Sequence, residues 1–172
     1  MAPQNPTLAP IAEQVLETWF GPLADPGYPN ANHGLWWGKS PETDERLTEQ
    51  FGGALEAAGR GELRGWCDSA RGTLAYIILI DQFSRNIHRG TPGMYALDTD
   101  AVTATLSMIE SGQIFDLQPR ERVFAYMPLM HAENVPLQRL AVLLESGSRY
   151  GGFRGGSLFD GLNLRIKLEC RT

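Results

Sequence analysis

Cysteine is scarce in this chain of 172 residues: there are two, Cys67 and Cys170, with no CxxC spacing. That excludes a disulfide-stapled scaffold and a thiolate zinc site, and it points to a reducing cytoplasm with both thiols free. Histidine is also sparse. A metal site built from His33, His88, His131 and nearby carboxylates has no recognised ligand spacing, so neither metal nor cofactor is expected. No apolar run approaches the roughly 18 residues needed to span a bilayer, the longest being Leu74 to Ile80. The stretch Met1 to Pro10 lacks the basic start and apolar centre of a signal peptide. Positive charge is short too. With 15 basic against 20 acidic residues, the net charge of −5 argues against nucleic acid as a partner. There is no GxSxG, P-loop, dinucleotide fingerprint or HExxH, so the mechanisms that leave those signatures are not indicated.

The chain has the length for one domain with a sizeable core, and its 42% apolar content predicts a globular fold. Helical periodicity dominates residues 8 to 146. Ile11, Val15, Leu16 and Trp19 recur at helical spacing over Leu8 to Phe20, before Gly21 and Pro22 stop the run. Trp36 and Trp37 form an apolar knot, read as core or as a ligand-stacking wall. Ser40, Pro41 and Glu42 then give a helix start of N-cap, first-turn proline and first-turn acid, followed by a stripe of Leu47, Phe51 and Leu55. A central helix, capped by Asp68 or Thr73, runs to about His88. Further helices follow Pro92 and Pro119, and Leu137, Leu140, Ala141 and Leu144 mark a last one. Pro128 and Pro136 bracket an irregular piece containing His131 and Glu133. An all-α fold of antiparallel helix pairs is expected.

Residues 147 to 172 break the pattern. Six glycines lie between Ser146 and Gly161, and Leu162 to Glu169 alternate apolar and polar residues as a strand would. The body, 1 to 146, carries 10 basic and 18 acidic residues (−8), while the tail carries 5 and 2 (+3). Three readings of the tail stand: a poorly ordered or non-native end, a strand exchanged with a second protomer, or an RNA-binding segment.

The strongest chemical signal sits on the central helix. At about 100° per residue, Asp81, Gln82, Arg85, Asn86 and Arg89 share an arc roughly 140° wide, opposite Leu79, Ile80, Phe83 and Ile87. One reading makes the arc a structural network with an Asp81–Arg85 pair. Another makes Arg85 and Arg89 an anion pocket, each guanidinium fork holding a carboxylate or phosphate. His131 and Glu133 form a second candidate, as an acid–base pair or as a packed histidine.

These residues also carry a resemblance. Leu79, Ile80, Asp81, Gln82, Phe83, Ser84, Arg85, Asn86, Ile87, His88, Arg89, Gly90, Thr91 and Pro92 form its core. With Thr18–Trp19–Phe20–Gly21 before them and Met127–Pro128–Leu129–Met130–His131 after, the chain resembles a bacterial family known as domain of unknown function 924, over roughly residues 11 to 146. The resemblance implies a soluble all-helical fold like that of the tetratricopeptide superfamily. It places the family's polar signature on Asp81, Gln82, Arg85, Asn86, Arg89, His131, Glu133 and Gln138. Two departures stand out. Ala132 replaces a common Ser, and the Gly-rich tail replaces a further helix and a motif rich in Arg, Phe, Gly, Pro and His, which implies an incomplete site and an uncovered apolar face.

The leading expectation is a helical binding module whose pocket, lined by Asp81, Gln82, Arg85, Asn86, Arg89, His131 and Glu133, takes a small anion or an acidic peptide end. A rival makes the chain a hydrolase or transferase, with His131 as general base oriented by Glu133 and the arginines stabilising developing charge. A third makes it a scaffold for a partner protein, with the polar cluster purely architectural.

Overall fold

The computed structural model describes residues 8–25, 28 and 32–149. All regular structure among them is helical. The strand expected over 162 to 169, like Cys170 and the Gly-rich segment beyond residue 149, lies outside the described residues, while residues 147–149 of the expected tail end the last helix.

Helix α1 is Pro10–Phe20 and the short α2 is His33–Trp37. Helix α3, Pro41–Gly59, starts as the sequence predicts, with the Ser40 side chain accepting the Thr43 N–H at 3.3 Å and Pro41 in the first turn. A 3-10 turn, Arg64–Asp68, leads into the central helix over residues 70–87, made of α4 (Ala70–Ile77), a π-helical segment (Ile78–Phe83) and α5 (Ser84–Ile87). Its cap is Ser69, which accepts the Gly72 N–H, rather than Asp68 or Thr73. A Cβ on Gly72 would stand 2.0 Å from the Trp66 carbonyl oxygen, so the 3-10 turn packs against this helix only because that side chain is missing.

Helices α6 (Asp98–Glu110), α7 (Pro119–His131) and α8 (Val135–Arg149) complete the domain. Pro128 does not end α7. The helix absorbs it and closes with the Ala132 N–H on the Pro128 carbonyl, so the irregular piece shrinks to residues 132–134 and His131 becomes the last helical residue. A proline lacks a donor and its ring crowds the carbonyl four residues back, but its own carbonyl still accepts, and here it serves the next turn.

The central helix lies in the middle, against α1, α3, α6 and α7. Residues 72–84 are all buried, as a helix surrounded by neighbours requires. An aromatic cluster closes one end of the core: Trp36 lies 4.6 Å from Phe124 between ring centroids, Trp19 5.5 Å from Phe124, and Phe51 4.8 Å from Phe83. Edge-to-face and tilted packing of this kind adds about 1 kcal/mol per pair beyond burial. Trp36 therefore belongs to the core, its Nε1 donating to the Trp19 carbonyl, whereas Trp37 is exposed. Helix α8 buries Leu140, Ala141 and Leu144 and leaves Val135, Val142 and Leu143 exposed beside Met130, along a groove of about 710 Å³.

Candidate functional site

The sequence pattern assumes an even 100° step, and the π segment violates it. The Ser84 N–H reaches back to the Leu79 carbonyl, one residue farther than in an α-helix. The Ser84 hydroxyl donates to the Ile80 carbonyl at 2.7 Å, supplying a side-chain bond where the main-chain pairing shifts. The wider turn carries Asp81 and Gln82 into the interior, while Arg85 and Asn86 stay half-buried and Arg89 exposed. The expected single arc is thus two structures, a buried hub and a surface clamp.

Asp81 is the hub. Its side chain has no meaningful exposure, and both carboxylate oxygens are in use. Arg85 Nη2 donates to Oδ1 at 3.1 Å, and Gln82 Nε2 donates to Oδ2. His131 Nδ1 lies 2.8 Å from Oδ1 and 3.0 Å from Oδ2. Facing two acceptor oxygens, Nδ1 must carry the ring hydrogen, an assignment made from the partner it meets. Nε2 is then the open edge of the ring, with no partner among the described residues, and 27% of the side chain is exposed. Helix α7 ends on His131, which is why the ring stands at the rim. The carboxylate against it is Asp81 and not Glu133, which lies exposed in the 132–134 connection. Gln138 fastens that connection by donating to the Ala132 carbonyl at 2.9 Å.

Arg85 is shared. The same Nη2 donates to Asp98 Oδ1 at 3.0 Å, and the guanidinium carbon sits 5.4 Å from the centre of the Tyr95 ring. Its Nε is sealed from solvent without a partner. The clamp is Arg89, whose fork holds Asp44 through Nε at 2.6 Å and Nη2 at 2.9 Å, with Asn86 Oδ1 accepting from the same Nη2. The Asn86 amide in turn donates to the Gln82 carbonyl at 3.3 Å. Both arginines therefore already meet carboxylates of the chain itself.

Asp44, Asp98 and Tyr95 are absent from the sequence-based site. The two acids sit in first turns of α3 and α6, where a carboxylate is explained by the helix dipole alone, so their second role had no signal. Among the described residues, no group of three His, Cys, Asp or Glu side chains is placed to hold a metal ion. Nor is any helix there long and apolar enough to cross a membrane.

Chemically, the hub offers one group that can give or take a proton at a surface, the His131 imidazole, and a buried carboxylate that holds its orientation. No curated protein matches the chain. A solved structure does: that of a protein of unknown function, ATU0120, from Agrobacterium tumefaciens, 33% identical with a TM-score of 0.70, the match covering 79% of this chain and 72% of that one. A family model described as bacterial protein of unknown function (DUF924) matches residues 15–149, and with most of its length inside that match the chain belongs to this family.

Proposed function

We propose that this chain is an enzyme of the hydrolase or transferase type in which His131 moves a proton. The observation that carries the reading is the His131 ring held by Nδ1 on the buried Asp81 carboxylate while its Nε2 edge stays open. A carboxylate in this position fixes the tautomer and supports the imidazolium that forms when Nε2 takes a proton. Arg85 and Gln82 hold the carboxylate and so act as positioning residues. The test uses p-nitrophenyl acetate and p-nitrophenyl phosphate as ester probes. Release of p-nitrophenolate should exceed background and fall roughly a hundredfold or more in His131→Gln with the fold intact, the usual scale for a lost general acid or base. A rate equal to background with both probes, or a full rate in His131→Gln, would refute it.

A second reading keeps the chain as a binding module for a small anion or acidic peptide end, and a specific observation favours it. Arg85 has an unpartnered Nε, and its second carboxylate, Asp98, is one that an incoming oxyanion can replace. In that case inorganic phosphate raises the melting temperature of the chain, Arg85→Lys loses the effect because the fork is gone, and the ester probes are not turned over. We read the serial packing of the central helix on α6, α6 on α7 and α7 on α8 as tetratricopeptide-like antiparallel pairing, and the scarcity of cysteine in the sequence as the mark of a cytoplasmic protein.

A further inference from the structure

A separate hollow of about 270 Å³ opens between the 3-10 turn at Arg64–Asp68, the central helix and α6. Tyr76, Ala104 and Met108 give it a buried, largely apolar floor. Its side wall satisfies itself: the Thr73 hydroxyl donates to Gln113 Oε1 at 3.0 Å, and Gln113 Nε2 donates to the Cys67 carbonyl at 3.3 Å. Tyr76 is different. Only 3% of the residue is exposed, yet its hydroxyl has no hydrogen-bond partner among the described residues. Among those residues the polar side-chain atoms sealed without a partner are Trp19 Nε1 and Arg85 Nε, so the Tyr76 oxygen touches open space, and the hollow is the space that Tyr76 lines. A buried phenol left unpaired at the floor of a cavity marks where the polar atom of a ligand belongs.

The groups around that oxygen decide what the ligand atom is. Burial pushes the Tyr76 phenol above its usual range, and the Asp100 carboxylate adds to the push while Arg64 opposes it, so both stand near the hydroxyl. Tyr76 therefore keeps its proton at neutral pH and has a hydrogen to donate. An ammonium has nothing with which to accept it. A carboxylate accepts it but meets the like charge of Asp100. Arg64 does not tip the balance towards an anion, since it stands at the wet mouth, 68% exposed, with Asp100 Oδ1 already 3.4 Å from its Nη2. A neutral hydroxyl suits both neighbours, its oxygen accepting from Tyr76 and its hydrogen going to the Asp100 carboxylate. The floor sets the rest of the ligand: the Met108 thioether and the Ala104 methyl offer a surface on which a flat ring packs well. The volume corresponds to about nine water molecules at ~30 Å³ each, the scale of a single ring bearing one oxygen.

We propose that this hollow binds a small neutral phenol, its hydroxyl bridging the Tyr76 hydroxyl and the Asp100 carboxylate and its ring lying on Ala104 and Met108. The proposal is independent of the His131 chemistry. It is tested by titrating the whole chain, observed by amide NMR at pH 7, with phenol, anisole, toluene and benzoate; phenol is neutral there, anisole can only accept, toluene can do neither and benzoate is charged. Phenol should give saturable shifts around Tyr76, Asp100, Ala104 and Met108. Anisole should need roughly fivefold more ligand and toluene more again, the scale of one and then two neutral hydrogen bonds, and benzoate should bind no better than toluene. Tyr76→Phe removes a hydroxyl that holds nothing in the fold, so the structure should be kept while phenol weakens roughly fivefold and toluene does not. Asp100→Ala, at the mouth, should weaken phenol by a similar factor and leave anisole unchanged. No saturable response to phenol at these residues, toluene or benzoate binding as tightly as phenol, or an unchanged phenol affinity in Tyr76→Phe overturns it.

Discussion

Two buried carboxylates organise this molecule, and they differ in what they hold. Glu121 Oε1 accepts from the Tyr28 hydroxyl and from Arg71 Nη1, and Oε2 accepts the Gln118 N–H in a capping box at the start of α7. Asp81 accepts from Arg85 and Gln82 of its own central helix and from His131, the last residue of α7. Both acids are satisfied, as buried charges must be. Every partner of Glu121 is a group that keeps its proton at neutral pH: burial and Glu121 itself push the Tyr28 phenol up to about 12. One partner of Asp81 is a histidine with an open nitrogen. The same architectural device is closed at one end of α7 and chemically available at the other.

The comparison breaks first on stability. Asp81→Ala and Glu121→Ala should each cost about 3 kcal/mol in chemical denaturation, because each strands buried or half-buried donors. A loss under about 1 kcal/mol at either would show that node to be dispensable. The next effect is at alkaline pH. Tyr28 and Tyr126 both have folded pKa values of about 12, raised chiefly by burial above an unfolded value near 10. Their protonated forms therefore contribute stability that is complete below pH 10 and lost as pH rises towards 12. Tyr28→Phe should remove its share of that loss, while Asp81→Asn, at a node with no phenol bonded to it, should leave the alkaline limb unchanged. Tyrosinate absorbance followed alongside the unfolding signal checks both.

A smaller effect sharpens the contrast further. Asp81→Asn should cost His131 its fixed tautomer, so the ring 15N shifts move from one dominant form to a mixture, with about 1 kcal/mol lost from the hydrogen bond. Retention of one tautomer would show that Asp81 does not orient the ring. Smallest of all, Arg89→Ala should cost less than about 1 kcal/mol, and that little should fade with salt, since the clamp on Asp44 lies at the surface.

Much of the helical framework was legible in the residues. Ser40–Pro41, Pro119 and Gly112 punctuate helices for local reasons, and Gly112 takes the left-handed φ of +80° that favours glycine after a helix. Pro128 misled because its cost depends on what the next turn can still bond. The polar arc was legible as composition and illegible as geometry. Asp81 looks like an arc-mate of Arg89 only if every step is 100°, and the π turn at Ile78–Phe83 removes that premise. Arg89 turned out to hold Asp44, 45 positions away, and Arg85 to hold Asp98. Neither pairing has a periodicity to reveal it.

By itself, the amino-acid order determined a helical body over residues 8 to 146, the starts and stops of several of its helices, and which side chains bring ionisable chemistry to the end of the central one. Tertiary structure decided which carboxylate meets which base. Hydrophobic spacing is a local property repeated every few residues, whereas the meeting of His131 with Asp81 depends on where two helices separated by 50 positions happen to cross.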